Sequence, residues 1–126
     1  MASPTDRVYS ESHEWHKVEG DILTLGVTKY AVDALTDVTY VQMKPVGTKV
    51  AVGGQVGEVE SVKTTSDIYC AAGGEIIEIN KATSDDPSLL NSDPYGKGWL
   101  VKLRITEKGN LAQCSEGAKY DAAHPA

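Results

Sequence analysis

Short segments of alternating apolar and polar residues, separated by glycine-containing turns, constrain the fold of this chain more than any other feature. Residues 15–18 and 22–27 are two such segments, and the turn between them contains Gly20, which is the pattern of a β-hairpin. Similar segments follow at a spacing of roughly 8–12 residues. Many short strands joined by turns predict an all-β sandwich or barrel. No linker or low-complexity stretch interrupts the pattern, so residues 1–126 are expected to form a single domain.

Short helices are expected beside these strands. Thr28 can cap a helix that runs to about Leu35, because its hydroxyl can accept a hydrogen bond from a backbone N–H of the first turn. The polar segment 85–95 contains proline and is predicted to be a loop with one helical turn at residues 87–90. The segment from Thr106 onward is predicted to be a weak helix that glycines interrupt.

Two further strand predictions depend on alternation and on glycine. Residues 37–43 are predicted to form a strand, and period-two alternation assigns their side chains to two faces. One face would carry Val38, Tyr40 and Gln42, and the other Thr39, Val41 and Met43. Gly73 and Gly74 are expected to turn the chain before a strand at residues 75–80.

The charge balance excludes several classes of partner. The chain has 12 Lys and Arg against 18 Asp and Glu, a formal net charge of −6. Nucleic acids and anionic membranes are bound by basic patches, so this balance argues against both. The sequence contains no apolar run of about 18 residues, and residues 1–7 lack the apolar core of a secretion signal. We therefore expect a cytoplasmic protein.

No catalytic or metal-binding constellation is evident in the sequence. Gly53, Gly54 and Gly57 lack the following Lys-Ser/Thr pair that a phosphate-binding loop requires. His13 and His16 lie three residues apart on a predicted strand, so their rings should point to opposite faces rather than to one metal ion. We therefore expect a protein that is not an enzyme and has no metal site.

Two cysteines, Cys70 and Cys114, are present in the chain. Neither belongs to a CxxC motif, and small secreted domains usually carry a larger cysteine framework. Both are expected to be reduced thiols with a packing role. Because Cys70 lies only a few residues after Lys63, a redox effect of its thiol stays open.

Lys63 differs from the other charged residues because two predicted strands, residues 55–62 and 66–70, flank it. A turn between paired strands holds an amine away from the body of the protein on a rigid base. A covalent tether needs such an amine on a flexible stem. A hairpin tip also favours any solvated charge, so this geometry alone leaves both a tethering lysine and an unmodified lysine open.

The segment around Lys63 resembles the lipoyl-attachment motif of the glycine-cleavage H protein family. The matching positions are Glu60, Ser61, Val62, Lys63, Ser66, Asp67 and Ile68. Biotin carriers instead flank their lysine with methionines. The lipoyl domains of 2-oxo-acid dehydrogenases usually have Asp before the lysine and Ala after it, whereas this chain has Val62 and Thr64.

Other motifs of the same family follow in the same order along the chain, so that the resemblance covers residues 9–105. They are the SHEW segment at residues 12–15, the helix entry at 26–35, the strand and Pro-Gly turn at 37–47, the strand at 75–80 and the N-x-x-P-Y-x-x-G-W signature at 91–99. One departure is Thr36, at a position where the family usually has glycine.

The resemblance implies a mainly β fold, a barrel-sandwich hybrid of the lipoyl-domain type, with short helices near the N-terminal third and at the C-terminus. It implies a non-catalytic, monomeric carrier with lipoate joined to Lys63 as an amide. Such a carrier moves an aminomethyl group and reducing equivalents between a pyridoxal-phosphate glycine decarboxylase, an aminomethyltransferase and dihydrolipoamide dehydrogenase, after modification by a lipoyl-attaching enzyme. The compartment would be the mitochondrial matrix if this is a processed eukaryotic chain. The alternative is a related lipoate-binding protein of another redox pathway, such as sulfur oxidation.

The resemblance also implies roles for seven further residues. Glu60 and Gly47 match positions used in recognition by the lipoylating enzyme, although Gly47 also suits a turn and Glu60 a strand edge. The family's cleft for the loaded arm corresponds to Ser12, Glu14, Val27, Leu35 and Asp67. A carboxylate there would hold the cationic amine, and the cleft would exclude water from it. For Val27 and Leu35, a position in the hydrophobic core is the favoured interpretation.

Overall fold

Two antiparallel β-sheets and four short helices form the fold in the computed structural model, which describes residues 4–109, 111 and 114–123. The elements in chain order are β1 (Val8–Tyr9), β2 (Glu14–Glu19), β3 (Ile22–Val27), α1 (Lys29–Leu35), β4 (Val38–Met43), β5 (Lys49–Val50), β6 (Gln55–Ser61), β7 (Thr65–Tyr69), β8 (Gly73–Ile79), α2 (Lys81–Asp85), α3 (Leu89–Ser92), β9 (Val101–Glu107), β10 (Ser115–Glu116) and α4 (Gly117–Ala123). The large sheet has the order β10-β1-β2-β3-β9-β8-β5, and the small sheet has the order β4-β6-β7. The predicted mainly β architecture is confirmed.

Both sheets contribute to one hydrophobic core. The large sheet supplies buried residues such as Leu25 and Leu103, and the small sheet supplies Val41, Val59 and Ile68. The β2–β3 hairpin forms as predicted, with Glu19 paired with Ile22 next to the turn. Burial of these aliphatic side chains stabilises the fold by about 25 cal/mol for each Å² of apolar surface removed from water.

A bulge in β4 makes the predicted assignment of its faces wrong. Val38, Val41 and Met43 are all buried, whereas Tyr40 is 43% exposed. The pairing of β4 with β6 shifts register between Val38 and Tyr40. The extra residue turns Val38 toward the same buried side as Val41, which simple period-two alternation does not allow.

The predicted turn at Gly73 and Gly74 is also wrong, because both glycines are the first residues of β8. The chain instead bends at the two preceding residues, Ala71 and Ala72. A Cβ atom on Gly74 would collide with the carbonyl oxygen of Arg104 in β9. This glycine therefore permits close approach of two strands rather than a turn.

Helix α1 begins and ends as predicted. The Thr28 side chain accepts a hydrogen bond from the N–H of Ala31 at 3.2 Å, and the helix ends at Leu35. Thr36, at the position where the family usually has glycine, follows with a φ of 65°. This left-handed backbone conformation explains the preference for glycine there, because glycine adopts it without a steric penalty.

The remaining helices differ from the prediction. Helix α2 was not predicted, and α3 occupies Leu89–Ser92 rather than residues 87–90. The predicted C-terminal helix is present as α4, but it starts later than predicted, because β9 extends to Glu107 and β10 precedes α4. None of the helices in the described part of the chain has the length and apolar character required to cross a bilayer.

Trp15 connects the SHEW segment at residues 12–15 with the segment at residues 91–99. Its indole Nε1 donates a hydrogen bond to the Pro94 carbonyl oxygen at 3.0 Å, and its side chain is buried. A Cβ atom on Gly26, in the paired strand, would lie 2.6 Å from the indole, so only glycine leaves room for this ring. Trp15 thereby fixes the start of β2, which is the strand that positions Glu14.

Candidate functional site

Lys63 lies at the hairpin tip, the exposed turn of residues 62–64 between β6 and β7. Ser61 holds this turn together. Its hydroxyl accepts hydrogen bonds from the N–H groups of Lys63 and Thr64, both at 3.1 Å, and donates to the Thr64 carbonyl at 3.2 Å. The tip backbone is therefore fixed by local bonds, while the Lys63 side chain is in solvent.

The small sheet supports the hairpin tip from both sides. Strand β6 is its central strand, and Glu60 pairs with Tyr40 of β4 and with Thr65 of β7. The N–H of Val62 also donates to the Asp37 carbonyl oxygen at 3.1 Å. The lysine is thus carried on a paired base rather than on a free loop, as a tethered arm requires.

A pocket of about 530 Å³ lies near the opposite end of β7. We call it the Glu14 pocket, and it is lined by Ser10, Glu11, Ser12, Glu14, Gly53, Tyr69, Cys70, Ala71 and Cys114. Tyr69 is the last residue of β7, and Thr65 beside the hairpin tip is the first. At about 3.4 Å per residue, the strand spans about 14 Å from the tip to the pocket.

Glu14 is the buried charged group of this pocket, with 1% of its surface exposed. Its Oε1 accepts hydrogen bonds from the hydroxyls of Ser10, at 2.7 Å, and Ser12, and its Oε2 accepts one from the N–H of Tyr69 at 3.2 Å. Burial raises the pKa of Glu14 above its ordinary value, although the two serine hydroxyls act in the opposite direction. Such a carboxylate is well placed to bind a cation that enters the pocket.

The other residues predicted for the arm cleft occupy three different environments. Ser12 lines the Glu14 pocket, and exposed Asp67 contacts Tyr69 at its rim, where the tyrosine hydroxyl donates to Oδ2 at 3.4 Å. Val27 is opposite Glu14 in the β2–β3 pairing, but its side chain belongs to the hydrophobic core, as does that of Leu35. Their roles toward a bound arm stay predictions.

Glu60 and Gly47 lie toward different ends of the small sheet. Glu60 is half-buried and pairs with Tyr40, close to the hairpin tip. Gly47 follows the other end of β4 in an exposed turn, with a φ of 94°, and its N–H donates to the Ile76 carbonyl at 2.8 Å. The turn conformation alone accounts for glycine at this position. The predicted recognition role of both residues stays a prediction.

Of the nine residues that line the Glu14 pocket, only Ser12 and Glu14 were predicted from the sequence. The other seven are Ser10, Glu11, Gly53, Tyr69, Cys70, Ala71 and Cys114. Tyr69 could have been found, because it lies two residues after Asp67 on one face of β7. No local pattern indicates Cys114, since it reaches the pocket from a segment that is distant along the chain.

The two histidines that were compared with a zinc site lie in separate environments. His13 precedes β2, and its Nδ1 lies 2.7 Å from the Tyr120 hydroxyl. His16 is buried, and its Nε2 accepts a hydrogen bond from the N–H of Ala71 at 3.1 Å. Burial lowers the pKa of His16 to about 4, so this ring is neutral at pH 7.

We expect Glu14→Gln to increase the free energy of unfolding at pH 7. The pKa of Glu14 is higher in the folded chain than in the unfolded chain. Between these two pKa values the folded chain therefore binds more protons than the unfolded chain, so the free energy of unfolding falls as pH rises through this range. Glutamine removes this loss and still offers an oxygen to the Tyr69 N–H. Urea unfolding at pH 4, 5.5 and 7 should show a gain that disappears toward pH 4.

The matched control for this variant is Glu107→Gln, an exposed position on β9. A surface change of this kind is expected to alter stability by less than about 0.5 kcal/mol. If Glu14→Gln and the original chain gave parallel stability curves across this pH range, the argument from burial would be wrong.

The sandwich of a large and a small β-sheet has the architecture of lipoyl-domain-like folds. The sequence model of the family "Glycine cleavage H-protein" matches residues 7–124. The chain is 47% identical over 120 residues to a glycine cleavage system H protein of Thermus thermophilus, covering 95% of this chain and 94% of that protein. It is 44% identical over 119 residues to one of Symbiobacterium thermophilum, covering 94% and 93%.

The fold comparison agrees with the sequence comparisons. The crystal structure of a glycine cleavage system H protein from Mycobacterium marinum superimposes with a TM-score of 0.88 at 38% sequence identity. The match covers 96% of this chain and 98% of that one. The chain therefore belongs to the glycine cleavage H-protein family.

Proposed function

We propose that this protein is the lipoyl carrier of a glycine cleavage system and that Lys63 is its attachment residue, with lipoate bound as an amide. The observation that carries the proposal is the exposed amine of Lys63 on a hydrogen-bonded hairpin tip, in a chain of this family. When bound, lipoate supplies a dithiolane that carries an aminomethyl group and reducing equivalents. The protein itself supplies position and surface rather than a catalytic group.

The chain's own residues fit such a group. Lys63 offers a primary amine on a four-carbon stem, which is what amide formation requires. The Glu14 pocket offers space beside a buried carboxylate, and the hydroxyls of Ser10 and Ser12 orient that carboxylate. Glu14 would hold a cationic amine there, with Asp67 as a second carboxylate at the rim. Enclosure by Tyr69 and its neighbours would restrict water.

The partners follow from the family. They are a pyridoxal-phosphate glycine decarboxylase, an aminomethyltransferase, dihydrolipoamide dehydrogenase and a lipoyl-attaching enzyme. For the last of these, we propose that half-buried Glu60, beside the hairpin tip, is a recognition contact. The exposed turn at Gly47 would be a second contact, farther along the small sheet.

The test of this function is glycine-dependent loading of the arm. The lipoylated chain is incubated with glycine decarboxylase and ¹⁴C-glycine labelled at the methylene carbon, and the label that co-migrates with the protein is counted. We expect labelling that requires glycine decarboxylase and is absent from the unlipoylated chain. A chain that is lipoylated but never labelled would exclude glycine cleavage and would favour the carrier of another redox pathway.

A further inference from the structure

Both cysteines of the chain line the Glu14 pocket, although they are distant along the sequence. We propose that Cys114 and Cys70 form a redox-active pair, in which Cys114 reacts first with a small-molecule disulfide and Cys70 then closes an internal disulfide. The proposal goes beyond the carrier function. Only its consequence for the arm, given below, depends on that function.

Cys70 has the properties of a resolving thiol. It follows β7 directly, and two backbone hydrogen bonds to the neighbouring turn fix it: its N–H donates to the Gly54 carbonyl at 3.0 Å, and its carbonyl accepts from the Gly53 N–H at 2.9 Å. Its side chain is fully buried, yet it forms part of the pocket wall. In the described part of the chain, the pocket is the side from which a reagent can approach this thiol.

Cys114 reaches the same wall from the segment that follows β9. It is half-buried, and its N–H donates to the Leu111 carbonyl at 3.1 Å, while Leu111 packs against the hydrophobic core. The same segment passes close to the residue after Cys70, since a Cβ atom on Gly109 would lie 2.9 Å from the Ala71 carbonyl oxygen. On the other side, the next residue, Ser115, pairs with Tyr9 of β1. These contacts keep Cys114 beside the pocket, with more exposure than Cys70.

The chemistry is two successive thiol–disulfide exchanges. The Cys114 thiolate attacks a disulfide RSSR, so that a Cys114–SR bond forms and one RS⁻ leaves. The Cys70 thiolate then attacks the sulfur of Cys114 and expels the second RS⁻. The two cysteines together lose two protons and two electrons, and RSSR is reduced to two RSH.

The pocket also determines how fast this reaction is. Burial raises the pKa of the Cys70 thiol to about 11 and raises that of Cys114 as well, and the negative charge of Glu14 adds to both effects. Because the thiolate is the nucleophile, both exchanges should be slow at pH 7 and faster in mild alkali. If the carrier function holds, a disulfide between Cys70 and Cys114 would change the wall of the Glu14 pocket. The loaded arm would then no longer be protected there from water.

The test uses the full chain carrying Lys63→Arg, so that no lipoyl dithiolane takes part and the result does not depend on the proposed function. This protein, with and without a second change Cys70→Ser or Cys114→Ser, is incubated with oxidised glutathione at pH 8.5 and quenched with acid. Intact mass and peptide mapping identify adducts and the internal disulfide. Near-ultraviolet circular dichroism before oxidation confirms that each variant is folded.

We expect the chain with both cysteines to lose two hydrogens and to retain no adduct. With Cys70→Ser it should accumulate a stable glutathione adduct on Cys114, and with Cys114→Ser it should react at least about tenfold more slowly. The proposal is overturned by an adduct on Cys114 that persists equally with and without Cys70. It is also overturned if neither thiol reacts in the folded chain, or if Cys70 alone reacts as fast as Cys114.

Discussion

Lys63→Arg is expected to abolish lipoylation and, with it, all carrier activity. Amide formation needs a primary amine that can lose a proton, and the arginine guanidinium stays protonated and delocalised at any accessible pH. Stability should change by less than about 0.5 kcal/mol, because the side chain at the hairpin tip is exposed. The measurement is intact mass after co-expression with a lipoyl-attaching enzyme, followed by glycine–bicarbonate exchange with glycine decarboxylase.

Lys49→Arg is the matched control, since Lys49 is also an exposed lysine on a short strand but lies on β5 at the edge of the large sheet. This variant should gain one lipoyl group and keep its exchange activity. The assignment of Lys63 would be wrong if the Lys63→Arg variant still gained the lipoyl mass or still supported exchange. Equal loss in both variants would point instead to a general effect of the lysine-to-arginine change.

Local signals predicted the parts of the fold that depend on neighbouring residues. The β2–β3 hairpin follows from two alternating segments around a glycine turn, and α1 follows from the capping hydroxyl of Thr28. The hairpin that carries Lys63 was predicted for the same reason, because β6 and β7 lie next to each other along the chain. Its chemical meaning came from the family resemblance, since geometry alone does not distinguish a tethering lysine from a solvated one.

Features that depend on distant segments could not be predicted in this way. The bulge in β4 is visible only in its pairing with β6, and without it Val38 is assigned to the wrong face. The Glu14 pocket combines the start of β2, the end of β7 and the segment before β10, so Cys114 had no local signature. Long-range packing, rather than residue preference, decides these positions.

Glycine is needed for two different physical reasons in this chain: for close approach of two strands at Gly74, and for a left-handed backbone conformation at turns such as Gly20. Gly74→Ala should lower the free energy of unfolding by about 3 kcal/mol, because the new methyl group would collide with the Arg104 carbonyl oxygen in β9. Backbone atoms cannot move aside as the end of a side chain can, so the pairing of β8 with β9 must distort. Urea unfolding at pH 7, followed by tryptophan fluorescence, measures the loss.

Gly20→Ala separates close approach from backbone conformation. Gly20 has a φ of 66° and open space around the position of a Cβ atom, so alanine there meets only the cost of a left-handed backbone, about 1 kcal/mol. The ordering of the two variants is therefore diagnostic. If Gly74→Ala cost no more than Gly20→Ala, strands β8 and β9 could separate without loss, and glycine at position 74 would not be required for close approach. A loss near 3 kcal/mol for Gly74 alone would establish that contact between strand backbones, and not turn formation, requires glycine at the start of β8.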